Sequence, residues 1–311
     1  MPIEIVNGQA LLSASPISIN FINPITQYIV GINAFNLTYS GGKAHDVESI
    51  TVKITASKSG TNSLSVSLTG TNMQDASGNT IDPSSSSVGI SVIAITGETS
   101  PTGITLGSSS SLSSGGSWTI VLDAPSVTQA SFLSGFNMSY YTDEANNIQS
   151  VDVSSVTGAT TGKTLDSFLF AYMQDNGKNH SVTQTVSAGL LAASTSDAGF
   201  LCQTVYKQQT NQTITVDFSD QLEDTQRLTS AAVFITEFTV AYPFFEANQV
   251  NTIGAGLVSG TGSIVVALPQ ISSDGKSVLC SGAEAIMHDN GNHYQASSLS
   301  WVNLLVVALP S

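Results

Sequence analysis

The chain is 311 residues long, with 41% apolar residues, only 10% charged ones and a formal net charge of −14. That length allows two to three domains with ordinary cores. The 8 Lys and Arg residues fall singly along the chain. The clustered cations that grip phosphate backbones or anionic membranes are missing, so nucleic acid and membrane surfaces are not expected partners. Few Glu, Lys and Arg against many Val, Ile, Thr, Ser and Asn favours strands over helices.

The N-terminal run Met1-Pro2-Ile3-Glu4-Ile5-Val6 shows neither a basic region nor a long apolar stretch. The longest apolar run, Leu304 to Leu309, falls far short of the roughly 20 residues that span a bilayer. The expectation is a protein made in the cytoplasm without a visible signal peptide, released or built into a particle, with no membrane insertion.

In chain order, the first marked strand is Phe35-Asn36-Leu37-Thr38-Tyr39, whose alternate residues share one face. Another begins eight residues past the tyrosine, at Val47-Glu48-Ser49-Ile50. Met73-Gln74-Asp75 then runs into the turn Ser77-Gly78-Asn79, and an apolar strand from Val88 to Ile95 ends the copy. Gly107 to Gly116 is a Ser/Gly-rich loop. The same order returns as Phe136-Asn137-Met138-Ser139-Tyr140, Ile148-Gln149-Ser150-Val151, Met173-Gln174-Asp175 with Asn176-Gly177-Lys178-Asn179, and Val186 to Ala193. It returns again as Phe238-Thr239-Val240-Ala241-Tyr242, Val250-Asn251-Thr252-Ile253, Met287-His288-Asp289 with Asn290-Gly291-Asn292-His293, and Leu299 to Leu309.

Tyr39, Tyr140 and Tyr242 stand 101 and 102 positions apart. Asp75, Asp175 and Asp289 stand 100 and 114 apart, which places an insertion in the third copy. This triplication predicts an all-β chain of three tandem antiparallel β-sandwich domains, each of about 100 residues. The segments are 1–97, 98–197 and 198–311. Asn176-Gly177 and Asn290-Gly291 suit tight hairpin turns.

The opening run Ser18-Ile19-Asn20-Phe21-Ile22-Asn23-Pro24-Ile25, the strand through Phe35 and Tyr39, the next from Val47 to Ile54, and the closing Leu299-Ser300-Trp301-Val302 together resemble the H-type lectin pattern. The resemblance implies six-stranded antiparallel sandwiches of this size that group in threes and bind N-acetylgalactosamine-type sugars. The closing tryptophan stands only in the third copy, with Ile90 and its neighbours in the first. The basic residue expected near the sugar has no counterpart in all three copies.

Asp75, Asp175 and Asp289, with Asn79, Asn179 and His293 across their turns, are the candidate ligand-binding residues. A carboxylate at a strand end accepts charge-assisted hydrogen bonds from sugar hydroxyls. The competing reading is that each Asp only stabilises the turn behind it. The turns lack the spaced carboxylates and terminal Glu of an EF-hand. His288 and His293 would face each other across a two-residue turn, but zinc wants three or four ligands and no third is local. The three tyrosines read as core or sheet-edge residues, or as sugar-stacking ones. Asn36-Leu37-Thr38, Asn137-Met138-Ser139 and Asn211-Gln212-Thr213 match the glycosylation acceptor pattern, which such compositions produce by chance. Cys202 and Cys280 read as reduced thiols.

No nucleophile elbow, phosphate loop or dinucleotide fingerprint stands in the sequence. The expectation is therefore a non-enzymatic protein with no cofactor and no metal. Two functions fit. One is a lectin-like carbohydrate or cell-surface binding protein, gaining avidity from three related sites. The other is a self-assembling subunit of a phage, injection system, tube or surface layer, whose partner is the chain itself as a homo-oligomer. Kept site residues favour the first; divergence in the third copy, including Pro243-Phe244-Phe245, favours the second.

Overall fold

The computed structural model describes residues 3–97, 103–122, 124–140, 146–158, 162–175, 181–194, 199–242, 248–258, 268–289 and 299–311. Those residues form strands, short turns and three brief 3-10 turns, with no α-helix among them. No helix long and apolar enough to cross a membrane is present among them.

The first segment holds β1 (Ile3–Leu11), β2 (Ile17–Asn20), β3 (Ile25–Thr38), β4 (Ser49–Lys53), β5 (Thr55–Lys58), β6 (Ser63–Ser67), β7 (Asn72–Gln74) and β8 (Ser87–Thr96). The second holds β9 (Ile104–Ser108), β10 (Leu112–Ser113), β11 (Ser117–Val121), β12 (Thr128–Ser139), β13 (Ser150–Thr157), β14 (Thr164–Gln174) and β15 (Thr183–Ala193). The third holds β16 (Leu201–Gln208), β17 (Ile214–Asp217), β18 (Leu228–Ala241), β19 (Thr252–Leu257), β20 (Gln270–Ile271), β21 (Ser277–Cys280), β22 (Ala283–His288) and β23 (Trp301–Pro310).

The large sheets do not respect the segment boundaries. The first runs β1-β8-β3-β19-β22, the second β10-β15-β12-β4-β7, and the third β11-β14-β13-β18-β23-β16. In each, the long strand of one segment pairs on one side with the last strand of its own segment. On the other side it pairs with a strand lent by another segment: β19 beside β3, β4 beside β12, and β13 beside β18. The lending is cyclic, so the three segments close a ring. Two small sheets, β2-β6-β5 and β17-β21-β20, complete the structure.

Single bridges repeat the cycle. His45 pairs with Val250, Asn146 with Val47, and Asn248 with Ile148. The tyrosine amides follow suit: Tyr39 N–H donates to the Asn251 carbonyl, Tyr140 N–H to Glu48, and Tyr242 N–H to Gln149, at 2.9, 2.9 and 3.1 Å. Each long strand also carries a bulge at the same place, between Ile32 and Ala34, Leu133 and Gly135, and Ile235 and Glu237. An inserted residue there breaks the alternation of faces and twists the strand.

The ring closes on aromatic layers. Phe35, Phe136 and Phe238 meet with ring centroids 5.4, 5.2 and 5.5 Å apart in tilted and edge-on contacts, the arrangement ring quadrupoles favour. Four residues earlier on each strand, Phe132 and Phe234 stack at 4.0 Å. The matched first-segment residue is Gly31, where a Cβ would lie 2.5 Å from Phe132 and 2.6 Å from Phe234. Glycine stands there because two rings already fill the layer.

The repeated methionines are core residues: Met73, Met173 and Met287 are buried and lie opposite Ile50, Val151 and Ile253. The tyrosines are buried as well. Cys202 and Cys280 are free thiols on different strands, each pushed up to about 12 by burial.

Candidate functional site

Asp75 is almost wholly occupied by its own turn. Its Oδ1 accepts the backbone N–H groups of Ser77 (2.9 Å) and Asn79 (2.8 Å). Its Oδ2 accepts the Asn79 amide at 2.6 Å and meets His45 Nδ1 at 2.9 Å. Burial by itself raises the carboxyl, but these hydrogen bonds outweigh it and hold Asp75 below the ordinary range. Its partners leave little acceptor capacity for a ligand. The Tyr39 ring meets His45 at a tilt with centroids 4.7 Å apart, and burial with the nearby Asp75 raises its phenol. Asp175 is buried and Asp289 half-buried at matched strand ends. Asn179 and His293 lie outside the described residues, as do the turns 176–180 and 290–298 and the segment Pro243-Phe244-Phe245. Of the six expected site residues, the structure thus brings together Asp75 and Asn79, in a turn.

A different surface gathers exposed aromatic side chains. On β14, Leu165, Leu169 and Met173 face the core, while Phe168, Phe170 and Tyr172 face outward. Phe168 is 55% exposed and Phe170 43%, and Phe170 stacks on Tyr172 with centroids 6.1 Å apart. Strand registers carry this outer face across the third sheet. Tyr172 lies opposite Asp152, Phe170 opposite Ser154, and Phe168 opposite the exposed Val156. Asp152 lies opposite Thr239 and Ser154 opposite Glu237. Thr239 and Glu237 lie opposite Trp301 and Asn303.

The polar groups on this face are held but incompletely occupied. The Asn303 amide donates to Glu237 Oε2 at 2.8 Å, and the Lys207 N–H donates to Asn303 Oδ1 at 2.7 Å. The Lys207 ammonium sits 5.6 Å above the Trp301 ring, a cation–π contact. Burial is the main cause that raises the carboxyls of Asp152 and Glu237. A hydrogen bond with Thr239 opposes it in Asp152, and one with Asn303 in Glu237. Burial and the nearby Asp152 and Asp175 also raise the Tyr172 phenol.

Beyond Ser154, β13 leaves β18 and the strands fork. The fork holds a cavity of about 280 Å³ lined by Gln129, Thr157, Thr204, Tyr206, Glu237 and Asn303. Tyr206 stands 68% exposed at its rim. Beneath lie the hydroxyls of Ser131, Ser155 and Ser167, bonded to one another. The matched fork in the second sheet holds about 430 Å³, lined by Lys53, Thr55, Ser111, Ser134, Asn137 and Ser187. In the first sheet Ala34, Val258 and Ile286 form an apolar cluster instead.

The aromatic column was missed in the sequence, although Phe168-Leu169-Phe170-Ala171-Tyr172 carries a signal: both faces of one strand are apolar. A strand with one solvent face has no core reason for three outward rings. Among the described residues no group of three or more His, Cys, Asp or Glu side chains converges as a metal site. No protein-family model matches the chain, and no characterised protein matches it in sequence.

Proposed function

We propose that this is a non-enzymatic, lectin-like carbohydrate or cell-surface binding protein, built of three related sandwich-like repeats around a central axis. The observation that carries this reading is the outer face of the third sheet. Phe168, Phe170 and Tyr172 form a flat aromatic column beside carboxylate, amide and hydroxyl groups on the neighbouring strands. Sugar rings present apolar C–H faces and polar rims, and such a surface meets both, with stacking for one and fixed hydrogen-bond partners for the other. The proposed contact residues are therefore Phe168, Phe170, Tyr172, Asp152, Glu237 and Tyr206.

A glycan array and an insoluble-polysaccharide pull-down test it. The intact protein retains a glycan, and Phe168→Ala with Phe170→Ala abolishes retention while the melting temperature holds, because both rings are exposed. Retention unchanged in the double variant would remove the face from the proposal.

A second reading rests on the same patch. β11 is the outer edge of this sheet; its Ser117 lies opposite Phe168, and its Val121, 74% exposed, lies opposite Thr164 at the other end of the pairing. Open edges next to apolar surface pair with other copies. Electron microscopy of the purified protein over a range of concentrations separates the two. Tubes, sheets or rings favour an assembly subunit, and dispersed particles favour the binder.

A further inference from the structure

We infer that the outer face of the third sheet selects saccharides that carry a free, positively charged amine. This rests on the carbohydrate reading above and names the class of sugar.

The first ground is unmet charge in a built surface. Asp152 and Glu237 lie on adjacent strands, offset by one outward position. Both are half-buried, and among the described residues neither carboxylate has an ion-pair partner. Each has one side-chain hydrogen bond, to Thr239 and Asn303 respectively. Lys207 offsets part of the charge on Glu237, but no cation acts on Asp152, and withdrawing a carboxylate from water without a paired counter-charge is unfavourable. A neutral ligand covering this face would remove more water and add to that cost, whereas an ammonium would supply the missing charge.

The second ground is the hydroxyl between them. Ser154 is only 8% exposed, lies opposite both Glu237 and Phe170, and makes no side-chain hydrogen bond among the described residues. A hydroxyl that reaches solvent from a nearly enclosed residue, with no protein partner and beside two carboxylates and the aromatic column, is set to receive a ligand group.

The third ground is the rings. Phe170 and Tyr172 flank Ser154 and Asp152, with Trp301 beyond Thr239. Aromatic faces beside carboxylates hold organic cations through the ring quadrupole. Lys207 already shows the preference, its ammonium lying over Trp301. The net charge of −14 draws cations to the surface from a distance.

The matched faces lack this set. Where the third sheet has Asp152, Tyr172, Glu237 and Asn303, the second has Thr51, Asn72, Gly135 and Ser187, and the first has Gly254, Ile286, Ala34 and Gly89. The proposal therefore assigns one amine-selective site per chain.

Calorimetric titration of the full chain with four probes tests it: a glucosamine tetramer, its N-acetylated form, a neutral glucose tetramer and tetralysine. The glucosamine tetramer should bind about tenfold tighter than either uncharged sugar, with affinity falling as salt rises. Asp152→Asn and Glu237→Gln should each erode that preference, and Lys53→Gln on the second face should not. Equal binding of the three sugars overturns amine selection and leaves the carbohydrate reading standing. No binding by any sugar overturns both. Tetralysine binding tighter than the glucosamine tetramer overturns the saccharide assignment in favour of a basic peptide.

Discussion

The second and third sheets are built on one plan and finished differently. Both pair a long strand with a borrowed strand, and both bulge at the same residue, before Gly135 in one and Glu237 in the other. At the position where the third sheet sets Asp152 between Tyr172 and Thr239, the second sets Thr51 between Asn72 and Asn137. There the polar demand is met within the sheet: the Thr51 hydroxyl donates to Asn137 Oδ1 at 2.7 Å. In the third sheet it is left partly open. The lesson is that the features kept in all three copies (axis rings, buried methionines, bridging amides) hold the ring together, while the face proposed for recognition stands where the copies differ.

The comparison breaks most readily at the axis. Phe35→Ala empties a fully buried site between two other rings and should destabilise the protein by about 3–5 kcal/mol. Because the sheets share strands across segments, urea unfolding should remain a single transition that shifts as a whole. A transition confined to part of the signal would mean that the segments fold independently, and that the shared frame is less than a common core.

Much of that frame was legible in the sequence. Alternation within Phe35-Asn36-Leu37-Thr38-Tyr39 and its copies marks strands with a buried side, and the copies find each other by spacing alone. The exchange of strands was not legible. β4, β13 and β19 each show the pattern of a strand with a core face, and that pattern is the same whether the neighbour comes from the same segment or another. Pairing partners are chosen by chain closure and packing, which short-range alternation does not record. Asp152 and Glu237 were equally silent. Each is an ordinary outward acid in sequence, and only the registers of β13, β14, β18 and β23 place them among rings.

Asp75 sharpens the comparison from the other side. With two backbone N–H groups and two side chains on its carboxylate, Asp75→Ala should lower stability by about 2–3 kcal/mol and leave saccharide binding unchanged. Its net depressed carboxyl fixes the sign with pH. The contribution is complete above the unfolded value, near 4 on ordinary scales, and fades as pH falls through the folded one. Wild type and variant should therefore converge in denaturation midpoint in acid. A loss of binding in Asp75→Ala with unchanged stability would return the turn to the list of sites.

The smallest effect has the opposite sign. Burial raises the carboxyls of Asp152 and Glu237, so the folded protein favours their protonated forms. Their stabilising share is complete below the unfolded values and is lost as pH rises through the folded ones. Near neutrality both groups then work against folding. Asp152→Asn and Glu237→Gln should each raise stability there by less than about 1 kcal/mol, since solvent screens half-buried groups, and the gain should vanish in acid. Melting curves at neutral and acidic pH decide it. A gain at neutral pH together with a lost amine preference would show a surface that trades stability for recognition, as expected where a site rather than the scaffold sets the residue. A loss of stability at neutral pH would instead make the two carboxylates part of the frame, and the contrast between the sheets would reduce to the aromatic column.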